Sequence, residues 1–159
     1  MADQDSTLTQ ELLLSLFEYR DGELYWKKRN NKRAGCVNGE NYRHIVINKK
    51  LYKEHRLIFM MFHGYMPEFI DHIDNNRLNN KIENLRQATK QQNAWNRQIN
   101  KNNKSGVKGV SWCKLTKKWK VQGRVDKKVV YLGVYQTLEE AAKTIEKFRF
   151  INHGIFAKQ

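Results

Sequence analysis

The sequence predicts an α+β protein in which two small units follow one another along 159 residues. Short segments within the first part alternate between strand-like and helix-like spacing of apolar residues. Residues 98–105 (QINKNNKS) are polar and lack this periodicity, which is typical of a linker. Beyond them, three strand-like segments precede one amphipathic helix. We therefore expect one unit over residues 1–97 and a second over 106–159, each with a thin core.

The first unit begins with a small α/β region. Leu8, Leu12 and Leu16 fall on one helical face, and Ser6 or Thr7 is a candidate N-cap. The elements that we expect are, in order, a helix at 8–18, a strand at 23–28, a loop at 29–41, a hairpin with strands at 42–47 and 51–53, and a helix at 54–63.

A strand, a loop, a second strand and a helix follow within residues 68–97. The first strand is FIDHI, and the loop after it is rich in asparagine. Thr89 and Gln92 have the spacing of a capping box, which predicts a helix from about Lys90 to Ile99.

The second unit reads as a three-stranded antiparallel sheet packed on one helix. The strand-like segments are 107–112, 119–125 and 129–132. Thr137 and Glu140 form another capping-box pattern, and an apolar stripe then runs down one helix as far as His153 and Gly154.

The net charge of +14 points to a polyanionic partner, of which nucleic acid is the commonest. Residues 100–159 carry 14 basic and 4 acidic side chains, a net of +10, whereas residues 1–99 carry 16 and 12, a net of +4. We therefore expect the second unit to be the stronger electrostatic grip on such a partner.

Other classes of protein fit the sequence less well. The acidic, polar start is no secretory signal, and the longest apolar run, Leu57–Phe62, is too short to span a bilayer. Cys36 and Cys113 belong to no paired-cysteine motif, which fits a reducing compartment and argues against a zinc finger. We expect a cytoplasmic protein with no membrane partner.

The densest group of polar residues is 71-DHIDNNRLNNKIENLR-86, followed by Asn93. Asp71 and His72 are adjacent, so on a strand their side chains leave opposite faces, and one can serve a metal while the other serves a water. Asn93 lies near the start of the next helix, where it can fold back beside the strand. An oxygen pair from Asp and Asn suits Mg²⁺ or Mn²⁺ better than zinc.

This pattern resembles the ββα-metal core of HNH endonucleases of the phage and homing type. The D-H-x-D motif, the Asn-rich turn, E-N-L-R and the later helical Asn occur in the family's order, and 54-EHRLIFMMFHGYMP-67 and LFEYRDGELYW also resemble segments that precede the core. The resemblance covers roughly residues 10–97. Asn93 stands where many members have His, which argues further against zinc.

The resemblance implies a role for each matching residue. Asp71 and Asn93 would bind one divalent cation, and His72 would be the general base that activates water. Asn84 would hold either the His72 ring or the loop. Two further roles stay open in the sequence. Arg56 would contact a phosphate and His55 would orient the core, or each would serve in packing or at the surface.

Residues 105–157 resemble the AP2 DNA-binding domain. The matching motifs are VKGV, KKWKVQGR, YLGVY and LEEAAKTIEKF. AP2 domains lay one face of a three-stranded sheet in the major groove, so alternate strand residues meet DNA. The candidates for that face are Lys108, Trp112, Lys114, Lys120, Gln122, Arg124 and Tyr131. The alternative for Trp112 and Tyr131 is ordinary packing between sheet and helix.

Together these resemblances imply a metal-dependent DNA endonuclease, active in a bacterial host or phage-infected cell and held on double-stranded DNA by its second unit. One site cuts one strand, so a double-strand break requires two encounters or a homodimer. The alternative is a non-catalytic, sequence-specific DNA-binding regulator. An RNase is disfavoured because A-form RNA hides its major groove from a sheet reader.

Overall fold

Four α-helices and eleven strands are formed by residues 8–157, the part of the chain that this computed structural model describes. The chain divides into two units, Met1–Asn93 and Ala94–Gln159. Each unit has its own hydrophobic core. The predicted α+β class is confirmed.

The first unit contains three small antiparallel sheets, ordered β1-β2-β3, β4-β5-β6 and β7-β8. Its elements are α1 (Gln10–Leu16), β1 (Phe17–Arg20), β2 (Glu23–Trp26), β3 (Lys32–Arg33), β4 (Cys36–Val37), β5 (Arg43–Ile47), β6 (Lys50–Lys53), α2 (Glu54–His63), β7 (Phe69–His72) and β8 (Leu85–Ala88). Helix α3 (Lys90–Asn96) begins in this unit.

Helix α1 is shorter than predicted. Its N-cap is Thr9, whose hydroxyl accepts a hydrogen bond from the backbone N–H of Leu12 at 3.2 Å; the predicted caps Ser6 and Thr7 lie outside the described residues. The helical continuation to residue 18 is wrong, because the chain from Phe17 onward pairs with β2 as a strand. The buried Phe17 ring packs against Trp26 with centroids 4.4 Å apart, so tertiary pairing overrides the local helical spacing.

The predicted hairpin is confirmed. Asn48 and Lys49 connect β5 to β6 with φ angles of 48° and 65°, and Ile47 pairs with Lys50. Positive φ at both central residues is the signature of the two-residue turn that matches strand twist. This turn returns the chain to the start of α2.

Helix α2 supplies the centre of the first core. Its buried apolar residues are Leu57, Ile58, Phe59 and Met61. They pack with the buried residues Leu13, Phe17, Leu24, Ala34, Ile45, Ile47, Ile70 and Leu85. Glu54 and His55, at the helix N-terminus, are buried as well and face the candidate site.

Strands β7 and β8 and helix α3 form the predicted strand–loop–strand–helix unit. Asp71 pairs with Arg86 and His72 with Leu85 across the two strands. The capping box is confirmed: the N–H of Thr89 donates to Gln92 Oε1 at 2.7 Å, and the N–H of Gln92 donates to Thr89 Oγ1 at 3.2 Å.

The second unit is a three-stranded antiparallel sheet with one helix on it. The strands are β9 (Val110–Cys113), β10 (Lys118–Val125) and β11 (Lys128–Tyr135), ordered β11-β10-β9, and the helix is α4 (Leu138–His153). Val110, Val121, Ala141 and Ile145 form the core between them. The Thr137–Glu140 capping box that was predicted for α4 is present.

The predicted linker is ordered within the second unit. Asn103 Oδ1 accepts hydrogen bonds from the N–H groups of Ser105 and Gly106, at 2.9 and 3.0 Å. Ser105 Oγ donates to the carbonyl of Val110 at 2.8 Å. Side chains that satisfy backbone groups in turns account for the polar composition of this segment. Within residues 8–157, no helix has both the length and the apolar character needed to cross a membrane.

Candidate active site

Asp71 and His72 lie side by side on β7, and each has only 6% of its surface exposed. The Asp71 carboxylate faces β8, where Arg86 Nε and Nη2 donate to Asp71 Oδ2 at 2.9 and 2.8 Å. Burial of a carboxylate is tolerated where such charge-assisted hydrogen bonds replace water.

Asn80 holds the imidazole of His72. Asn80 Oδ1 lies 2.9 Å from His72 Nε2, and Asn80 Nδ2 donates to Glu54 Oε2 at 2.9 Å. Asn80 and Glu54 are each 1% exposed, so this chain of hydrogen bonds runs through the protein interior. It joins the turn after β7 to the start of α2.

Glu54 is in turn fixed by the first sheet. The backbone N–H of Leu24 donates to Glu54 Oε1 at 3.0 Å, and Arg33 Nη1 donates to the same oxygen. Arg33 Nη2 donates to Glu54 Oε2 at 3.0 Å. A carboxylate so fully bonded is a rigid acceptor, and removing one partner would leave a buried charge uncompensated.

Aromatic rings complete the surroundings of His72. The His55 ring meets it edge to face at 4.9 Å between centroids, and the Tyr42 ring lies 6.3 Å away. Burial lowers the pKa of His72, although the hydrogen bond with Asn80 and the charges of Asp74 and Asp71 oppose this shift. Burial and the neighbouring His72 lower the pKa of His55 to about 2. Both imidazoles are therefore neutral at pH 7.

Asn84 holds the loop. Its Nδ2 donates to Asp74 Oδ1 at 2.9 Å and to the carbonyl of Asn79 at 2.7 Å, and its Oδ1 accepts from the N–H of Asp74 at 3.1 Å. Two roles were open to Asn84, holding the loop or holding the His72 ring. Its contacts are with loop residues, whereas Asn80 holds the His72 ring. Burial alone would raise the pKa of Asp74, but hydrogen bonds from Asn79, Asn76 and Asn84 lower it.

Asn93 lies beside the strand that carries Asp71. Its Nδ2 is 3.5 Å from the carbonyl of Ile70, a long hydrogen bond across to β7. The amide oxygen of Asn93 and the Asp71 carboxylate are hard oxygen donors, which suit Mg²⁺ or Mn²⁺. Among residues 8–157, no three His, Cys, Asp or Glu side chains are grouped so as to hold a metal, and an Asp–Asn pair is a different donor set.

Arg56 is engaged with the backbone. Its Nη1 donates to the carbonyl of Glu68 at 3.1 Å and its Nη2 to that of Pro67 at 2.9 Å. Of the two roles left open for Arg56, these contacts are those of packing: they fix the segment that leads into β7.

The face of the second sheet that lies away from α4 carries four of the seven predicted DNA contacts. Val121 points into the core, so Lys120, Gln122 and Arg124 point to the opposite face. Tyr131 pairs with Gln122 across the strands and is 58% exposed on that same face.

The other three candidates lie elsewhere, so their predicted position on that face is wrong. Trp112 shares the α4 side with its partner Trp119, the ring centroids being 5.0 Å apart. Lys108 precedes β9, and its Nζ donates to the carbonyls of Trp95 and Arg97 at 2.8 and 2.9 Å. Lys114 lies in the turn between β9 and β10.

Glu54 and Asn80 were missed from the sequence. Glu54 reads as an ordinary acidic residue in the first turn of a helix, where the helix dipole favours it. Asn80 is one of four asparagines in one turn, and nothing in the sequence singles it out. Only the fold shows that these two meet.

Comparison with known proteins shows the family to which the chain belongs. Residues 52–95 match the HNH endonuclease family model. Protein 3.8 of Escherichia phage T7 is 36% identical over 115 residues, which cover 69% of this chain and 94% of that protein. The chain belongs to the family of T7 Protein 3.8.

The chain is also similar to an uncharacterized HNH endonuclease of Acanthamoeba polyphaga mimivirus. It is 45% identical over 60 residues, which cover 36% of this chain and 32% of the viral protein. No solved structure matches. The HNH match runs from β6 to α3 and includes Glu54, Asp71, His72, Asn80, Asn84 and Asn93. These matches support an HNH nuclease.

Proposed function

We propose that the first unit hydrolyses phosphodiester bonds in DNA with the help of one divalent cation. One observation carries the proposal: a buried, neutral His72 follows Asp71 directly on one strand. Both residues lie inside the segment that matches HNH endonucleases. Two consecutive residues thereby supply a base and an oxygen ligand.

His72 is the general base. A neutral imidazole takes a proton from an attacking water, and catalysis of this kind contributes roughly 10²- to 10⁴-fold in rate. Burial lowers the pKa of His72, so the base form dominates at neutral pH.

Asp71 and Asn93 would hold the cation, because both present hard oxygens beside β7. When bound, a divalent cation stabilises the negative charge on the departing 3′ oxygen as a Lewis acid. Arg86, bonded to Asp71, places a further positive charge next to this carboxylate and keeps it oriented.

The second unit binds the duplex through the face of its sheet that lies away from α4. Lys120, Arg124, Gln122 and Tyr131 share this face. The two cations neutralise phosphates, and Gln122 and Tyr131 add hydrogen bonds or stacking. The resemblance to AP2 domains and the net charge of +10 over residues 100–159 favour this surface.

The test is conversion of supercoiled plasmid to open-circle or linear DNA. We expect cleavage with Mg²⁺ or Mn²⁺, none with a chelator, and a loss of at least tenfold in Asn93→Ala at limiting metal. Open circles accumulating before linear DNA would indicate a monomer that nicks. DNA binding without cleavage under any divalent cation would contradict the nuclease and favour a regulator.

A further inference from the structure

The hydrogen bonds around Asn80 fix which way round its amide lies. Glu54 has only acceptor atoms, so the Asn80 NH₂ group must face Glu54 Oε2, 2.9 Å away. The amide oxygen then faces His72 Nε2, also at 2.9 Å. Turning the amide over would set an oxygen against a carboxylate in the protein interior, which is unfavourable at both ends.

This orientation decides the tautomer of His72. An amide oxygen only accepts, so His72 Nε2 must carry a hydrogen. A neutral imidazole has one N–H and one lone pair, and the lone pair is then on Nδ1.

We propose that Asn80 and Glu54 are positioning residues that set the tautomer and ring orientation of His72, making Nδ1 its basic atom. The proposal rests on the proposed function, in which His72 takes a proton from water. Neither residue touches the reacting atoms, and both act through the imidazole.

The anchor of this arrangement lies in a different sheet from the strand that carries His72. The N–H of Leu24 and the guanidinium of Arg33 hold Glu54, and both belong to the first sheet. A carboxylate fixed at this end cannot follow a rotating imidazole, so the ring must conform to it. Among the side chains of the Asn-rich turn, Asn79 instead donates to Asp74 Oδ2 at 2.7 Å and serves the loop.

The first test is the nitrogen chemical shifts of the His72 ring in the full-length, isotope-labelled protein without DNA at pH 7.5. We expect Nε2 protonated and Nδ1 unprotonated in the wild type. In Glu54→Gln, the N–H of Leu24 and Arg33 Nη1 keep the amide oxygen at the Oε1 position, so the amide NH₂ faces Asn80 and the bond from Arg33 Nη2 is lost. Asn80 then turns over, and the protonated nitrogen of His72 becomes Nδ1.

A double variant separates this effect from simple damage to the core. In Glu54→Gln with Asn80→Asp, the Gln amide donates to one Asp oxygen and the other accepts from His72 Nε2. The wild-type tautomer should return, and plasmid cleavage should recover at least tenfold over Glu54→Gln alone. Asn79→Ala is the matched control and should leave the tautomer unchanged.

The cleavage measurement also separates positioning from binding. Asn80→Ala should lower kcat on the order of 10²-fold, the lower end of general-base effects, with KM changed less than threefold. A wild-type His72 protonated on Nδ1, or an unchanged tautomer in folded Glu54→Gln, would overturn the proposal. If the wild type shows the expected tautomer but cleaves no DNA, the proposed function fails while the positioning by Asn80 stands.

Discussion

At the scale of single residues, burial affects the pKa of His72 more than the neighbouring charges do. His55 and His72 pack ring against ring in the first core, and burial lowers the pKa of each. Protonating either would place a charge beside a second imidazole with little water to solvate it. Both imidazoles are therefore neutral at pH 7, and we expect acid to destabilise their surroundings.

We predict that the first unit loses stability as the pH falls below 6.5. His55 has a pKa of about 2 when folded and 6.5 as its ordinary value. Between these values the unfolded chain binds one more proton, so the free energy of unfolding falls by about 1.4 kcal/mol per pH unit. The measurement is the urea midpoint of the Leu57 amide signal at pH 7 and pH 5.

Two matched variants test whether His55 is the group that makes the stability of the first unit depend on pH. His55→Phe keeps a ring but cannot titrate, so it should show a clearly smaller difference between the two pH values. His63→Phe changes an exposed ring and should behave as the wild type. An unchanged pH dependence in His55→Phe would show that another group is responsible.

Asp71, His72, Asn84 and Asn93 were named from the sequence because the motif in which they lie resembles the ββα-metal core of HNH endonucleases. The contacts of Asn80 and Glu54 were not found. Glu54 and Asn80 are 26 residues apart, and their meeting depends on how α2 packs on the first sheet. A hydrogen bond of this kind leaves no periodic pattern in the sequence.

At the scale of elements, capping and turn residues predicted the helix starts and the hairpin correctly, whereas the sequence predicted less well which face of a strand each side chain occupies. The boxes at Thr89 and Thr137 begin helices where expected, since their hydrogen bonds are local. The position of Trp112 was wrong, because alternation gives two faces and only the packing of α4 decides which one is outside. Phe17 likewise became a strand residue through pairing with β2.

We predict that Gly123→Ala destabilises the second unit by about 1–3 kcal/mol, the usual cost of overpacking. Gly123 lies on the α4 side of β10, where an added Cβ would be 2.1 Å from the Phe148 ring. The urea midpoint of the Val121 amide signal measures this loss. Gly39→Ala, with no atom within 4 Å of the added Cβ, is the control. Equal midpoints for both variants would show that Phe148 moves aside freely.

At the scale of the whole molecule, charge and chemistry are divided along the chain. Residues 1–99 carry the candidate site and a net charge of +4, and residues 100–159 carry a net of +10. In the proposed function, the second unit uses its charge to neutralise phosphates, and the segment that matches HNH endonucleases carries the hydrolysis. The uneven charge is read directly from the sequence, and the division of labour that it suggests stays a prediction.

We predict that Lys120→Gln with Arg124→Gln lowers the salt dependence of DNA binding. Each neutralised phosphate contributes about 0.9 to the slope of log affinity against log salt, so the slope should fall by about 2. Lys143→Gln with Lys147→Gln, on helix α4, removes the same charge and should change the slope by less than half as much. Equal effects would mean that the sheet face has no special contact with DNA.

The most direct test of the account is cleavage of supercoiled plasmid by the wild type and by His72→Ala, both with Mg²⁺ and at equal amounts of bound DNA. We predict metal-dependent cleavage by the wild type and a loss on the order of 10²-fold or more in the variant, with folding and DNA binding retained. Cleavage by folded His72→Ala at the wild-type rate would contradict the assignment of His72 as the general base.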